Sequence, residues 1–275
     1  MKRIIIITNI LRDPGFQYTQ EVESLLHNDG FVTNRFVFPE TENQDFCYFE
    51  DTTAILVLGG DGTILQASQY ASHYDLPILA VNLGRLGYIA QLEKNDLNKI
   101  PGILSSPFEI ETRAMLSVSL MRDEKLKVEG AVALNDAVIS KYNGRGIMEC
   151  SLYANEKLVN HYRGDGLIFS TATGSTAYSM SAGGCVIDPS LRIIQVTPIA
   201  AHSLKARPIV FSEFQALELI IPSHQIDACL TLDGENVIKL HPQDRIRISL
   251  ASQVTKLVSC NHDFCRILYQ KMSDL

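Results

Sequence analysis

Ala54-Ile55-Leu56-Val57-Leu58-Gly59-Gly60-Asp61-Gly62-Thr63-Ile64-Leu65 is the run from which the architecture of this chain is best read. Residues 54–58 are continuously apolar and partly β-branched, the pattern of a strand buried on both faces, as in a parallel sheet. Ile64 to Tyr70 reads as a helix. The glycine turn between them thus leaves the carboxyl end of a strand and enters a helix, the position at which open α/β sheets bind ligands. Glycines let backbone N–H groups approach a ligand, and a helix start favours negative charge, which suits a phosphate on Gly59, Gly60, Gly62 and Thr63. An aspartate there cannot itself attract phosphate. Beside such donors Asp61 would handle a metal ion or a hydroxyl proton, so it is the candidate base; read structurally, it caps the helix that follows.

Working outward, Ile4 to Ile7 and Phe31 to Phe38 are strands flanking a helix that Asp13-Pro14 opens, that buries Val22, Leu25 and Leu26, and that Asn28-Asp29-Gly30 closes. Glu40 to Asp51 reads as a loop or short irregular helix. Pro77 to Val81 is another buried strand, ending in a second glycine loop, Asn82 to Tyr88, which parallel topology places on the same side of the sheet as Asp61. Glu93 to Leu104 reads as a helix ended by Pro101-Gly102 and Ser105-Ser106-Pro107. The period then changes: Leu116 to Leu120, Leu217 to Leu219, Ala228 to Leu232 and Arg245 to Leu250 alternate apolar and polar, as antiparallel strands with one wet face do. The expected architecture is a Rossmann-like α/β domain over 1–104 followed by an all-β sandwich over 105–259, with the tail 260–275 packing back on the first domain.

At 275 residues and 46% hydrophobic content the chain has material for real cores. A net charge of -7 argues against nucleic-acid or anionic-membrane partners. Six cysteines without a CxxC pair, and a first apolar run that Thr8-Asn9 ends too early for a signal peptide, fit a cytoplasmic protein. No run of about 18 apolar residues suggests a membrane span. Cys260, His262 and Cys265 offer three potential ligands at an unfamiliar metal-site spacing.

Two further stretches carry chemistry. Asn135-Asp136 sets an amide beside a carboxylate inside an apolar run. Neighbours on a strand face opposite ways, so a ligand touching both must meet a strand end or a bulge. Such a pair can read the donor and acceptor edge of an adenine, or it is an ordinary Asn-Asp turn. The run Arg163 to Gly184 passes from a turn through the strand Leu167 to Phe169 into a region dense in hydroxyls and small residues, which suits ribose and phosphate or simply close helix packing.

Gly59-Gly60-Asp61-Gly62-Thr63, Asn135-Asp136 and the Gly164 to Tyr178 run, in this order and at these separations, resemble the three signatures of the NAD kinase family. Diacylglycerol kinases, sphingosine kinases and 6-phosphofructokinases share the glycine turn alone. The resemblance implies an α/β domain followed by a β-sandwich, and transfer of phosphate from ATP, or in some members polyphosphate, to the 2′-hydroxyl of the adenosine ribose of NAD, with Mg²⁺ or another divalent ion. It implies Asp61 as base with Gly62 against the NAD, Asn135 and Asp136 on adenosine, Asp165 at the nicotinamide end, and Arg163 at a position that also contacts substrate. Thr176, Ala177, Tyr178, Ser179, Met180 and Ser181 would line the adenosine and ribose pocket, and the molecule would be a homodimer or homotetramer. The sequence departs from the family's usual residues at Ala172 (proline), Asp136 (glutamate), Glu235 (glutamine) and Gln66 (often basic). A lipid or sugar kinase, and a non-catalytic NAD(P) sensor, are the alternatives. No GxxxxGK[ST] loop is present, so the donor's phosphates would rest on the Gly59 to Thr63 turn with the Asn82 to Tyr88 loop, where Arg85 reads as a solvated or interdomain residue, or else as a further cation for them.

Overall fold

The computed structural model describes residues 2–39, 49, 51–85, 87–142, 146–203, 205–224, 228–260 and 263–273. The Glu40 to Asp51 segment, Leu86 and His262 therefore lie largely or wholly outside the described residues. The chain divides into two compact units, Met1–Thr112 with Gln253–Leu275, and Arg113–Ser252.

In the first unit, β1 (Arg3–Asn9), α1 (Gln17–Asn28), β2 (Val32–Phe38), β3 (Thr52–Gly59), α2 (Asp61–His73), β4 (Pro77–Asn82), β5 (Leu92–Glu93) and α3 (Ile100–Ser105) follow in order. The strands lie β2-β1-β3-β4, all parallel. Ile4, Ile5, Ile6, Ala54, Ile55, Leu56, Val57 and Leu58 are all fully buried, as the unbroken apolar runs require of a sheet covered on both faces. Thr8 pairs with Leu58, and Leu58 with Val81, so β1, β3 and β4 end at one edge. Buried Asp13 starts α1 by accepting the N–H groups of Tyr18 and Thr19. Where the sequence reads one helix over 93–104, the chain instead forms β5, a 3₁₀ turn Lys94–Lys99 and then α3. Pro101 sits in the first turn of α3, where its missing N–H costs nothing, so it opens this helix and does not close the previous one.

The second unit is built from β6 (Ile110–Arg122), β7 (Lys125–Ala133), β8 (Asp136–Lys141), β9 (Met148–Ala154), β10 (Lys157–Gly164), β11 (Gly166–Ser170), α4 (Tyr178–Ser181), β12 (Ile193–Ile199), β13 (Ile209–Ser212), β14 (Leu217–Ile220), β15 (Ala228–Leu232), β16 (Glu235–Leu240) and β17 (Arg245–Val258). One antiparallel sheet runs β13-β12-β11-β8-β15-β16; β10, β9, β14 and β17 form a second set, joined by β6 and β7. Leu116, Leu152, Leu219 and Ile246 from the second set and Ile139, Leu167, Phe169 and Leu230 from the first share one core. Each such side chain contributes roughly 1.5–3 kcal/mol on burial. Asp244, fully buried before β17, accepts both Nε and Nη2 of Arg122 at 2.8 Å, a bidentate pair that joins the β6 end to the β17 start. The chain enters this unit within β6 and leaves it within β17. It ends in α5 (Phe264–Ser273), part of the first unit. Among the described residues no helix is long and apolar enough to cross a membrane.

Candidate active site

The glycine turn is tighter than its sequence implies. Gly60 is the residue before α2, and Asp61 is the first helical residue, three positions earlier than the apolar pattern suggests. No side chain caps this helix. The Asp61 carboxylate turns instead to the second glycine loop: Oδ2 accepts the Tyr88 N–H at 2.8 Å and Oδ1 the Ile89 N–H at 3.4 Å. Gly87 makes this approach sterically feasible, because a Cβ there would stand 2.1 Å from Asp61 Oδ1. Two amides thus fix a half-buried carboxylate at the carboxyl edge of β3, while Gly60 and Gly62 border open space.

The remaining turn residues hold the corner. A Cβ on Gly59 would meet Thr63 Oγ1 at 2.5 Å, and Thr63 Oγ1 accepts from Asn9 Nδ2 at 2.9 Å, tying the end of β1 to the start of α2. Leu83 N–H donates to Gly59 O, and Asn82 folds its own loop by accepting Gly84 N–H and donating to Arg85 O. Arg85 is exposed. Arg12, which the sequence reading missed, lies with its guanidinium about 3.6 Å from the Cβ position of Gly84, so a cation reaches the second glycine loop from the end of β1. Only parallel topology signals this, since Arg12 is far from the turn in sequence. Gln66 is half-buried on α2.

In the second unit, Asn135 and Asp136 do not sit inside one strand. The chain breaks between β7 and β8, with Asn135 in the bend and Asp136 as the first residue of β8. The organiser of this bend is Asp233, whose carboxylate accepts the N–H groups of Leu134, Asn135 and Asp136 at 2.8, 2.7 and 3.0 Å. Asp233 has φ 50° and Gly234 φ 79°, the left-handed pair of an Asp-Gly hairpin joining β15 to β16. The Asp-Gly dipeptide was the available signal for the hairpin; nothing local disclosed the reach of its side chain to residues about a hundred positions earlier. Burial, reinforced by the charge of Asp233, pushes Asp136 up to about 7. Burial also raises Asp233, against the lowering effect of its three backbone donors.

Around this bend lie unmatched polar atoms. Asn135 Oδ1, Ser170 Oγ and Thr173 Oγ1 are buried without a hydrogen-bond partner. Ser170 is the cross-strand neighbour of Asp136, Thr171 Oγ1 donates to Leu134 O, and Thr171 N–H donates to Asn135 O. Gly174 must be glycine: a Cβ would stand 2.0 Å from Asn135 O. The structure therefore brings Asn135 and Asp136 against the 170–174 segment. Thr176 is half-buried and bonds Thr173 O; Ala177 precedes α4; Tyr178, Met180 and Ser181 are exposed. Ser179 is otherwise placed, fully buried with its hydroxyl between Thr197 and Gln195. Asp165, in the bend between β10 and β11, pairs with Lys141 Nζ at 2.7 Å, and Arg163 Nε with Glu149 at 2.9 Å. Gly166 fits where a Cβ would meet Ile139 O at 2.4 Å. Glu235 is exposed beside Asp233.

Among the described residues no group of three or more His, Cys, Asp and Glu could hold a metal. Cys150, Cys185, Cys229, Cys260 and Cys265 are free thiols.

Comparison with known proteins addresses both units. Residues 14–105 match the family model described as ATP-NAD kinase N-terminal domain, and residues 134–260 that of the ATP-NAD kinase C-terminal domain. The chain is 34% identical over 281 residues to the NAD kinase of Ruminiclostridium cellulolyticum, covering 99% of this chain and 98% of that protein. It is 38% identical over 220 residues to that of Heliobacterium modesticaldum, covering 79% and 77%. Yeast NADH kinase complexed with NADH superposes with a TM-score of 0.84 at 23% identity, over 99% of this chain and 88% of that one. An NAD kinase from Archaeoglobus fulgidus in complex with ATP gives 0.80 at 24%, over 99% of both chains. An α/β unit ending its central strand in a glycine turn with a fixed aspartate, a β-sandwich unit with a polar strand junction, and relatives alike from end to end lead to one statement: the chain belongs to the NAD kinase family.

Proposed function

We propose that this protein transfers the γ-phosphate of ATP to the 2′-hydroxyl of the adenosine ribose of NAD, giving NADP and ADP. The observation that carries this reading is the Asp61 carboxylate held by two backbone amides at the carboxyl end of β3. Phosphoryl transfer needs alignment, charge neutralisation and an acceptor for the alcohol's proton. The ribose 2′-oxygen attacks the γ-phosphorus as the bond to ADP breaks, and its proton passes to Asp61. The two amide donors leave lone pairs of Asp61 free for that proton and fix their direction.

The donor's phosphates would rest on Gly59, Gly60, Gly62 and Thr63, with the positive end of α2 and Arg12 offsetting their charge. The donor would enter as its magnesium complex, an ion that binds substrate phosphates with one or two carboxylates and keeps several waters. Asp61 is the carboxylate at this turn that could meet it. Polyphosphate would use the same turn. In the second unit the unmatched Asn135, Ser170 and Thr173 oxygens, with Asp136, would take the adenosine of NAD, because a bound polar ligand removes the cost of leaving those atoms unpaired. Tyr178, exposed ahead of them, would stack on it. Asp165 would serve the nicotinamide end and Arg163 would contact the substrate too, each steadied by an ion pair. The assembly would be a homodimer or homotetramer in the cytoplasm.

Incubation with NAD, ATP and Mg²⁺, with NADP read by an NADP-specific dehydrogenase, tests the reading directly. Asp61→Asn should lose at least about 10²-fold in turnover while still binding NAD. Near-normal turnover in that variant would reject Asp61 as base.

A further inference from the structure

We propose that the carboxy-terminal helix α5 is a positioning element for the base, with Lys271 acting through Tyr88 to hold the loop that aims Asp61. The inference rests on the reading of Asp61 as base. Tyr88 faces two ways: its backbone N–H donates the shorter of the two hydrogen bonds that fix the Asp61 carboxylate, and its ring is covered by α5. Lys271 Nζ stands 4.0 Å over the centroid of that ring, well inside the range of a cation–π contact. Phe264, at the other end of the same helix, lies with its ring centroid 6.4 Å from that of Tyr88.

Beyond the Tyr88 contacts, α5 buries few of its described side chains, Leu268 being half-buried. Ile267 is its buried residue, while Tyr269 is 73% and Met272 62% exposed. A helix so lightly anchored belongs to the low-stability end of a protein, and each contact it makes weighs on whether it stays docked. Tyr88 and Ile89, where the loop ends, spend their N–H groups on Asp61. Without the ring contact Tyr88 can turn, and its amide leaves the carboxylate. Asp61 then keeps only the longer, 3.4 Å bond from Ile89, and a single long bond leaves the carboxylate free to rotate.

In this role Lys271 would make no bond to substrate. It differs in that from a phosphate-binding lysine, which would show in the KM for ATP. A cation–π contact is worth roughly three- to thirtyfold in a local equilibrium. In the full-length protein, Lys271→Met should therefore speed amide exchange at Tyr88 about tenfold and lower kcat roughly three- to tenfold. KM for NAD and for ATP should stay within about twofold, since positioning acts on the transition state alone. Lys271→Arg, which keeps a cation over the ring, should restore both readouts. Lys271→Gln, neutral and soluble, should repeat the defect if Lys271→Met does not accumulate folded. Unchanged exchange and kcat in the neutral variants, a loss confined to KM for ATP, or failure of arginine to rescue would each overturn the inference. Absence of NADP formation by the unaltered protein would overturn the proposed function instead, leaving the exchange measurement to judge the packing claim alone.

Discussion

Two carboxylates that the sequence places in similar settings, each beside glycine or amide residues, are used in opposite ways. Asp61 is half-buried and accepts from two amides, whereas Asp136 is buried 5% exposed beside a second carboxylate. The geometry at Asp61 depends on Gly87. Gly87→Ala would push a Cβ into Oδ1, and if Asp61 is the base proposed above, a displacement of about 1 Å there would cost on the order of 10²-fold in rate. Its kcat should fall by about that factor with the melting temperature little changed, as steady-state kinetics and calorimetry would establish. Asp136 makes a pH-dependent contribution. Its folded value is raised from the ordinary carboxylate range to about 7, so the protonated form is the one folding favours. That stability is fully present below the ordinary carboxylate range and is lost as pH rises through about 7. Asp136→Asn, which cannot ionise, should accordingly gain in melting temperature over the unaltered protein as pH is taken from 5 to 8. An equal offset at both pH values would contradict the assignment.

At the scale of elements, the junction between β7 and β8 is held from elsewhere in the chain. A hairpin carboxylate reaches three consecutive amides, so the bend depends on β15–β16 more than on its own sequence. Removing that acceptor leaves donors without partners at about 1–3 kcal/mol each. Asp233→Ala should lower stability by about 3 kcal/mol or more, with Asp233→Asn intermediate because one carbonyl oxygen remains; denaturant unfolding with an unchanged slope would measure it. The glycine turn shows the converse, an element whose geometry is local. Gly60 leads into α2 and Asp61 and Gly62 begin its first turn because β3 ends there and nothing but glycine at 59 tolerates the contact with Thr63.

For the whole molecule, the change of hydrophobic period from unbroken to alternating runs was enough to read a parallel α/β unit followed by an antiparallel sandwich, because periodicity reports how many faces of a strand are covered. The Asp61 turn and the Asn135-Asp136 junction were likewise legible, since glycines and paired polar residues at strand ends are local signals. What was not legible came from distance. Tyr88 and Ile89 contribute backbone, which has no sequence identity to read. Arg12 and Asp233 arrive through strand order and a hairpin, and Lys271 from the far end of the chain. The helix read over 93–104 failed for a different reason, as a proline that opens α3 looks in sequence like one that closes a longer helix.

The missing Cβ at Gly87 has one more implication. The oxygen that would receive the proton fills the volume any side chain at 87 would need, so chemistry and loop shape share the same few cubic ångströms. Neither position can drift without the other: a longer acid at 61 would collide with the loop, and a larger residue at 87 would evict the acid.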